Sequence, residues 1–150
     1  NPSPEIQTKA ASWYRNGVQV IFVAGGGAGN SVMAAAEQNN GYVIGVDVDQ
    51  SGESSSVITS AMKMIGESVY NAIDEFYKGN FPGGQSVVLD AKVHGIGLPI
   101  ETSKFKNFTQ EDYDNIYQKL VDGSIKVLND TNVKEASQLP LDSARLNLIQ

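Results

Sequence analysis

The 150-residue chain contains no cysteine. Disulfides, thiolate zinc sites and thiol nucleophiles are therefore excluded for it. Basic charge is also scarce: 11 Lys and Arg face 17 Asp and Glu, a formal charge of −6 and a pI near 4.6. With no basic run and no basic aromatic patch, this balance argues against nucleic acid as a partner. No apolar run reaches the roughly 18 residues that a membrane-spanning helix needs. Histidine occurs once, at His94, with no nucleophile elbow or acid set near it, and reads as a structural or exposed residue. The acids Asp74-Glu75 and Glu111-Asp112 read as solvated helix faces. No pair has the spacing of a general acid and base, and no metal-ligand spacing occurs. The chain offers a place to bind and no visible machinery to react, so neither a metal nor a cofactor is expected. Repeats and low-complexity tracts are absent. The start, Asn1-Pro2-Ser3-Pro4, is neither an initiator nor a signal peptide and reads as a cut inside a longer chain.

What is present centres on Val18 to Asn30, a strand that reads as buried and runs into the loop Gly25-Gly26-Gly27-Ala28-Gly29. The loop is expected to open a helix at Ser31. Before it, Ser3 can cap a helix with Pro4 in its first turn; Ile6, Ala10, Trp13 and Tyr14 recur at helical spacing, and Asn16-Gly17 ends it. The strand before that helix is expected to lie outside the chain. After it, Tyr42-Val43-Ile44-Gly45-Val46 reads as a second strand ending on Asp47. From Val57 a helical period is expected: Ile58, Ala61, Met62, Ile65, Val69, Ala72, Ile73 and Phe76 make one stripe. Short strands are expected at Ser86–Asp90, Val93–Leu98 and Ser124–Val127, with a helix over Gln110–Val121 capped by Asn107 or Thr109. The tail from Asn129 to Gln150 is weakly patterned. This alternation predicts an α/β fold, a mostly parallel sheet with helices on both faces. The length fits one domain or one lobe of something larger.

Both strand ends reach one edge of the sheet, where open α/β sheets bind small polar ligands. The glycine loop can bring backbone N–H groups close to a ligand, and a helix N-terminus points at the same place. A dinucleotide fingerprint would want Gly-x-Gly-x-x-Gly and an acid about 20 residues on. Gly25, Gly27 and Asp47 fit, but Asn30 stands where the third glycine belongs. A turn needed only for close strand–helix packing is the alternative. Asp47 can accept hydrogen bonds from vicinal hydroxyls, or can simply cap the next loop. Asp49 has the same two readings, with its side chain on the opposite face. Lys63, placed on the expected helix, reads from position as a solvated lysine beside Glu67.

Three motifs in order then resemble a known family. They are Tyr14-x-x-Gly17-Val18-x-Val20-Ile21-Phe22-x-Ala24-Gly25-Gly26-Gly27-Ala28-Gly29-Asn30, Ile44-Gly45-Val46-Asp47-x-Asp49-Gln50 and Val57-Ile58-Thr59-Ser60-Ala61-Met62-Lys63. Gly123-Ser124-Ile125-Lys126-Val127 is similar to the family's closing segment. Together they resemble the basic membrane protein family, the purine-nucleoside-binding lipoproteins of ABC importers. The resemblance covers about 1–128, leaving 129–150 as a tail. It implies a periplasmic-binding-protein type I arrangement of two α/β lobes, of which this chain would be the second. The first lobe would lie upstream of Asn1. It further implies that Gly26, Asp47 and Lys63 hold a nucleoside's ribose, that an ABC permease is the partner, and that no catalysis occurs. The parent would sit on the outer face of the cell membrane, lipid-anchored through an N-terminal cysteine outside this chain. The loop has Ala28 where the family usually carries threonine, and the Ser-Gly-Glu-Ser-Ser-Ser run after Gln50 is more polar than the family pattern.

Overall fold

The first helix, α1 (Pro4–Arg15), starts where its cap predicts. The Ser3 hydroxyl accepts from the Ile6 N–H at 3.2 Å, and proline occupies a position whose own N–H would be unpaired. Gly17, at φ +95°, turns the chain into β1 (Val20–Phe22). The glycine loop leads into α2 (Ala28–Asn39), which opens three residues earlier than expected. It closes on Asn40 in the left-handed region, φ +53°. Strand β2 (Tyr42–Asp47) follows. This is a computed structural model, and it describes residues 1–128, 133–141 and 144–147.

Here the sequence expectation fails. Val57–Lys63 is not helical: it is β3, a strand parallel to β2. The apolar spacing that suggested one long helix joins two elements, since α3 (Ile65–Tyr77) begins only after Met64. Val57, Ile58 and Thr59 are β-branched and fit a pleated surface better than a helix. A short apolar run read by period alone is ambiguous between the two. Of the expected strands after α3, Ser86–Asp90 forms none. Val93 falls in a 3-10 turn (Ala91–Val93), and only Ile96–Gly97 pairs, as β4, antiparallel to β3. Helix α4 (Gln110–Val121) matches its expected bounds and is capped by Thr109, not Asn107, in a reciprocal capping box with Asp112. Ser124–Val127 forms no strand, and the described part of the tail holds one 3-10 turn, Ala136–Gln138.

The sheet order is β1-β2-β3-β4, with the first three strands parallel. Helices α1 and α2 pack together on one face, burying Ala10, Ala11, Tyr14, Val32, Met33, Ala35 and Ala36 against Val43 and Val57. The small residues of α2 permit that close approach. Gly41 is part of the same fit: a Cβ there would lie 2.2 Å from the Tyr14 ring, whose hydroxyl donates to the Tyr42 carbonyl at 2.7 Å. Burial pushes the Tyr14 hydroxyl pKa up to about 12. Helix α4 lies over the opposite face, tied down by Tyr117, whose hydroxyl donates to the carbonyls of Ala91 and Ile96. Between α4 and the sheet lies an apolar hollow of about 560 Å³, walled by Phe22, Val46, Ala61, Ile116 and Leu120. Strand β1 is not the buried strand its composition suggests: Val20 and Phe22 are 41% and 54% exposed. It stands at the sheet edge with β2 as its one neighbour among the described residues, so one backbone edge and much of its surface are uncovered.

Candidate functional site

Parallel pairing decides what meets what. Phe22 is level with Ile44, and Asp47 with Met62, so the carboxyl ends of β1, β2 and β3 lie side by side. The first of these ends carries the glycine loop, the second Asp47 and the third Lys63.

Lys63 Nζ stands 2.7 Å from Asp47 Oδ1. The expectation that Lys63 sits on a helix beside Glu67 is thus corrected: it ends a strand, and its partner is Asp47. The carboxylate Oδ1 is itself hidden from solvent. The ammonium is its one close partner among the described residues, and it stands off the line of a well-directed hydrogen bond. The side chains as wholes remain open, 65% exposed for Lys63 and 44% for Asp47. A pair this wet is worth about 0–1 kcal/mol, so fold stability does not account for it. It can be exchanged cheaply for a polar ligand that offers hydroxyls to both partners.

Gly26 is exposed with φ +55°, and a Cβ built on it would meet nothing within 4 Å. Helix–strand packing therefore does not demand glycine at this position; the backbone conformation does, and it leaves the peptide bare. At Gly25 and Gly27 a Cβ would come within 3.4 Å of Ala28 Cβ and Pro2 Cδ. The loop is closed by Ala28, Gly29 and Asn30 N–H groups bonding to the carbonyls of Gly25, Gly26 and Gly27. The N–H groups of Gly25, Gly26 and Gly27 find no acceptor among the described residues. The α2 N-terminus, which has no side-chain cap, adds the positive end of its dipole to this place. The structure thus brings Asp47 and Lys63 into contact, with Gly26 one strand away on the same edge.

Asp49 has a different job. Its carboxylate accepts from the Ser51 N–H at 2.9 Å and the Thr102 hydroxyl at 2.7 Å. The Thr102 hydrogen bond, then the Ser51 backbone, hold its pKa below the ordinary carboxylate value. It fastens the loop after β2 to the returning segment, which is the loop-capping role open to either aspartate. His94 is exposed in a left-handed turn at φ +54° and stacks on Tyr117 with ring centroids 5.8 Å apart. Sequence reasoning overlooked Gln50 and Ser60, which fill the space beside Gly45. A Cβ on Gly45 would stand 2.6 Å from both Gln50 Oε1 and Ser60 Oγ. The spacing of glycine and amide signals this fit only once 57–63 is known to be a strand.

Among the described residues no cluster of acids and histidine could hold a metal ion, and no helix is long and apolar enough to cross a membrane. Known proteins are similar to this chain. The chain is 34% identical over 128 residues to basic membrane protein D of Borreliella burgdorferi, covering 81% of this chain and 37% of that protein. It is 30% identical over 141 residues to the ABC transporter nucleoside-binding protein BmpA of Lactococcus lactis subsp. cremoris, covering 81% and 39%. The chain therefore spans well under half the length of these relatives. A solved ABC transporter solute-binding protein from Conexibacter woesei superposes with a TM-score of 0.64 at 22% identity, over 82% of this chain and 41% of that one, which is a likeness of fold. The family described as ABC transporter substrate-binding protein, PnrA-like, matches residues 5–137. By that match and those identities, the chain belongs to the PnrA-like family of ABC transporter substrate-binding proteins, the basic membrane protein family its three motifs resemble.

Proposed function

We propose that residues 1–128 form the second lobe of a two-lobe nucleoside receptor serving an ABC importer, with 129–150 as a tail. In this reading Asp47 and Lys63 grip the ribose diol, and the Gly26 peptide closes on the sugar from the neighbouring strand. The observation that carries it is the 2.7 Å Lys63–Asp47 pair at the carboxyl edge of the sheet. A carboxylate accepts from one hydroxyl while an ammonium donates to its neighbour, so a vicinal diol satisfies both. The receptor binds and releases without turnover, delivers its ligand to a permease, and is held at the outer membrane face by an N-terminal lipid.

Two apolar surfaces support a larger parent. The hollow under α4 and the exposed stripe of α3 leave contiguous large apolar side chains uncovered, as interaction surfaces do. A first lobe closing over the site would also exclude the water that now screens the ion pair. The relative lengths are consistent with such a parent.

Calorimetry on the two-lobe protein with inosine, guanosine and adenosine, against NAD, tests the reading. Nucleoside binding is expected, and Asp47→Ala should weaken it by about 1–3 kcal/mol, the cost of unmatched buried polar groups. Tight NAD binding with no nucleoside response would return the glycine loop to the dinucleotide reading, which Asn30 already disfavours.

A further inference from the structure

Asp47 sits in an uncommon backbone state. Its φ is +70°, a region that residues with a side chain rarely enter. The Val48 N–H bonds back to the Val46 carbonyl at 2.9 Å, so Asp47 is the central residue of a three-residue γ-turn. With φ positive at its centre, this is the rare and strained form of that turn. Such strain persists only where the surroundings over-determine it. Here the surroundings are Gln50. Its Oε1 accepts from the Val46 N–H at 2.9 Å, the peptide immediately before the turn. Its own N–H donates to Ser60 Oγ at 3.0 Å, and Ser60 is fully buried on β3, three residues before Lys63. Its Nε2 reaches Glu53 at 3.2 Å. Gly45 leaves the space into which the Gln50 side chain folds.

We infer that Gln50 is a positioning residue for the binding site: it holds the strained turn that aims the Asp47 carboxylate at Lys63 and at the ligand. Without the Gln50 acceptor, the Val46 N–H loses its partner and Asp47 relaxes toward extended backbone. In an extended strand Asp47 would face the side opposite Val46, whereas Lys63 and Val46 line the same hollow under α4. The turn is thus what swings the carboxylate across to the lysine. Through its backbone N–H, which donates to Ser60 Oγ, the same residue also couples the end of β2 to the strand that carries Lys63.

The inference rests on the ribose-gripping reading for its consequence in binding, and the test keeps the two apart. In the ligand-free 150-residue chain, the ¹³C resonance of the Asp47 carboxyl carbon is recorded with and without Lys63→Met. Lys63→Met is expected to move that resonance. Gln50→Leu, which removes the acceptor at similar volume, should erase the response, and Gln50→Glu, which restores an acceptor for the Val46 N–H, should bring it back. If Gln50→Leu does not fold, Ser60→Ala loosens the same clamp and is read in the same way. In the two-lobe protein, Gln50→Leu should weaken nucleoside binding about tenfold. In an Asp47→Ala background it should add no further loss, which a merely structural role would not produce. A resonance response that survives Gln50→Leu, or an equal loss of affinity in the Asp47→Ala background, overturns the positioning role. A two-lobe protein that binds no nucleoside, while Gln50→Leu still erases the resonance response, removes the ribose reading and leaves the positioning role in place.

Discussion

Helix α2 is built of small residues and is buried on two sides; helix α3 is built of large apolar residues and buries none of them. In α2, Ala35 and Ala36 have no exposed surface. In α3, Val69, Ile73 and Phe76 are 53%, 53% and 64% exposed. The α3 stripe is the better amphipathic pattern, yet α2 makes the core. Amphipathic spacing says that a face wants covering; it does not say that a partner lies within the same chain segment. Small residues reveal little by pattern, but they let backbones approach until every gap is filled.

That contrast can be broken most severely at Gly41. Gly41→Val would drive a branched side chain into the Tyr14 ring, and a loss of about 3 kcal/mol, or failure to fold, is expected in urea denaturation. Val43→Ala, at a fully buried position of the strand under α2, should cost about 2 kcal/mol by the same measurement. Tyr14→Phe sharpens the picture of this half through pH. The Tyr14 pKa is raised by burial from its ordinary value of 10.0 to about 12. The folded state therefore holds its proton more tightly than the unfolded one. The stability linked to it is complete below pH 10 and falls as pH rises toward 12. Tyr14→Phe should cost about 1 kcal/mol at neutral pH through the lost bond to the Tyr42 carbonyl, and should flatten that alkaline decline in melts across the window. The smallest effect is expected in α3. Ile73→Ser should change the stability of this chain by no more than about 0.5 kcal/mol, because the side chain is already half exposed and lies outside the buried core. In the two-lobe parent the same substitution should destabilise clearly if the stripe is covered there. Equal small effects in both would show that α3 docks on neither lobe.

Part of the candidate site was legible from residue types. Glycines at 25–27 and an aspartate at the end of an apolar strand mark the edge of an α/β sheet whatever the strand count, whereas Lys63 read from position as a solvated helical lysine and joined the site only through the resemblance. The element holding Lys63 was not legible. Val57–Lys63 and Ile65–Tyr77 share one apolar rhythm, and helical period overrode the β-branched residues at 57–59. The loop aspartates were separable only in part: Asp47 and Asp49 have similar local sequence, and the contact that occupies Asp49 comes from Thr102, 53 positions away.

By itself the sequence determined the cap of α1, the bounds of α4, the glycine turn, the strand to Asp47 and the family. These depend on neighbours within a few residues, or on motif order. Tertiary structure alone decided that β2 and β3 lie parallel with Asp47 beside Met62, that Gln50 folds back beside Gly45, and that α3 stands uncovered. Parallel pairing and strained turns are fixed by groups brought together from distant positions, and the free energy that selects them belongs to the assembled packing and not to any local stretch of chain.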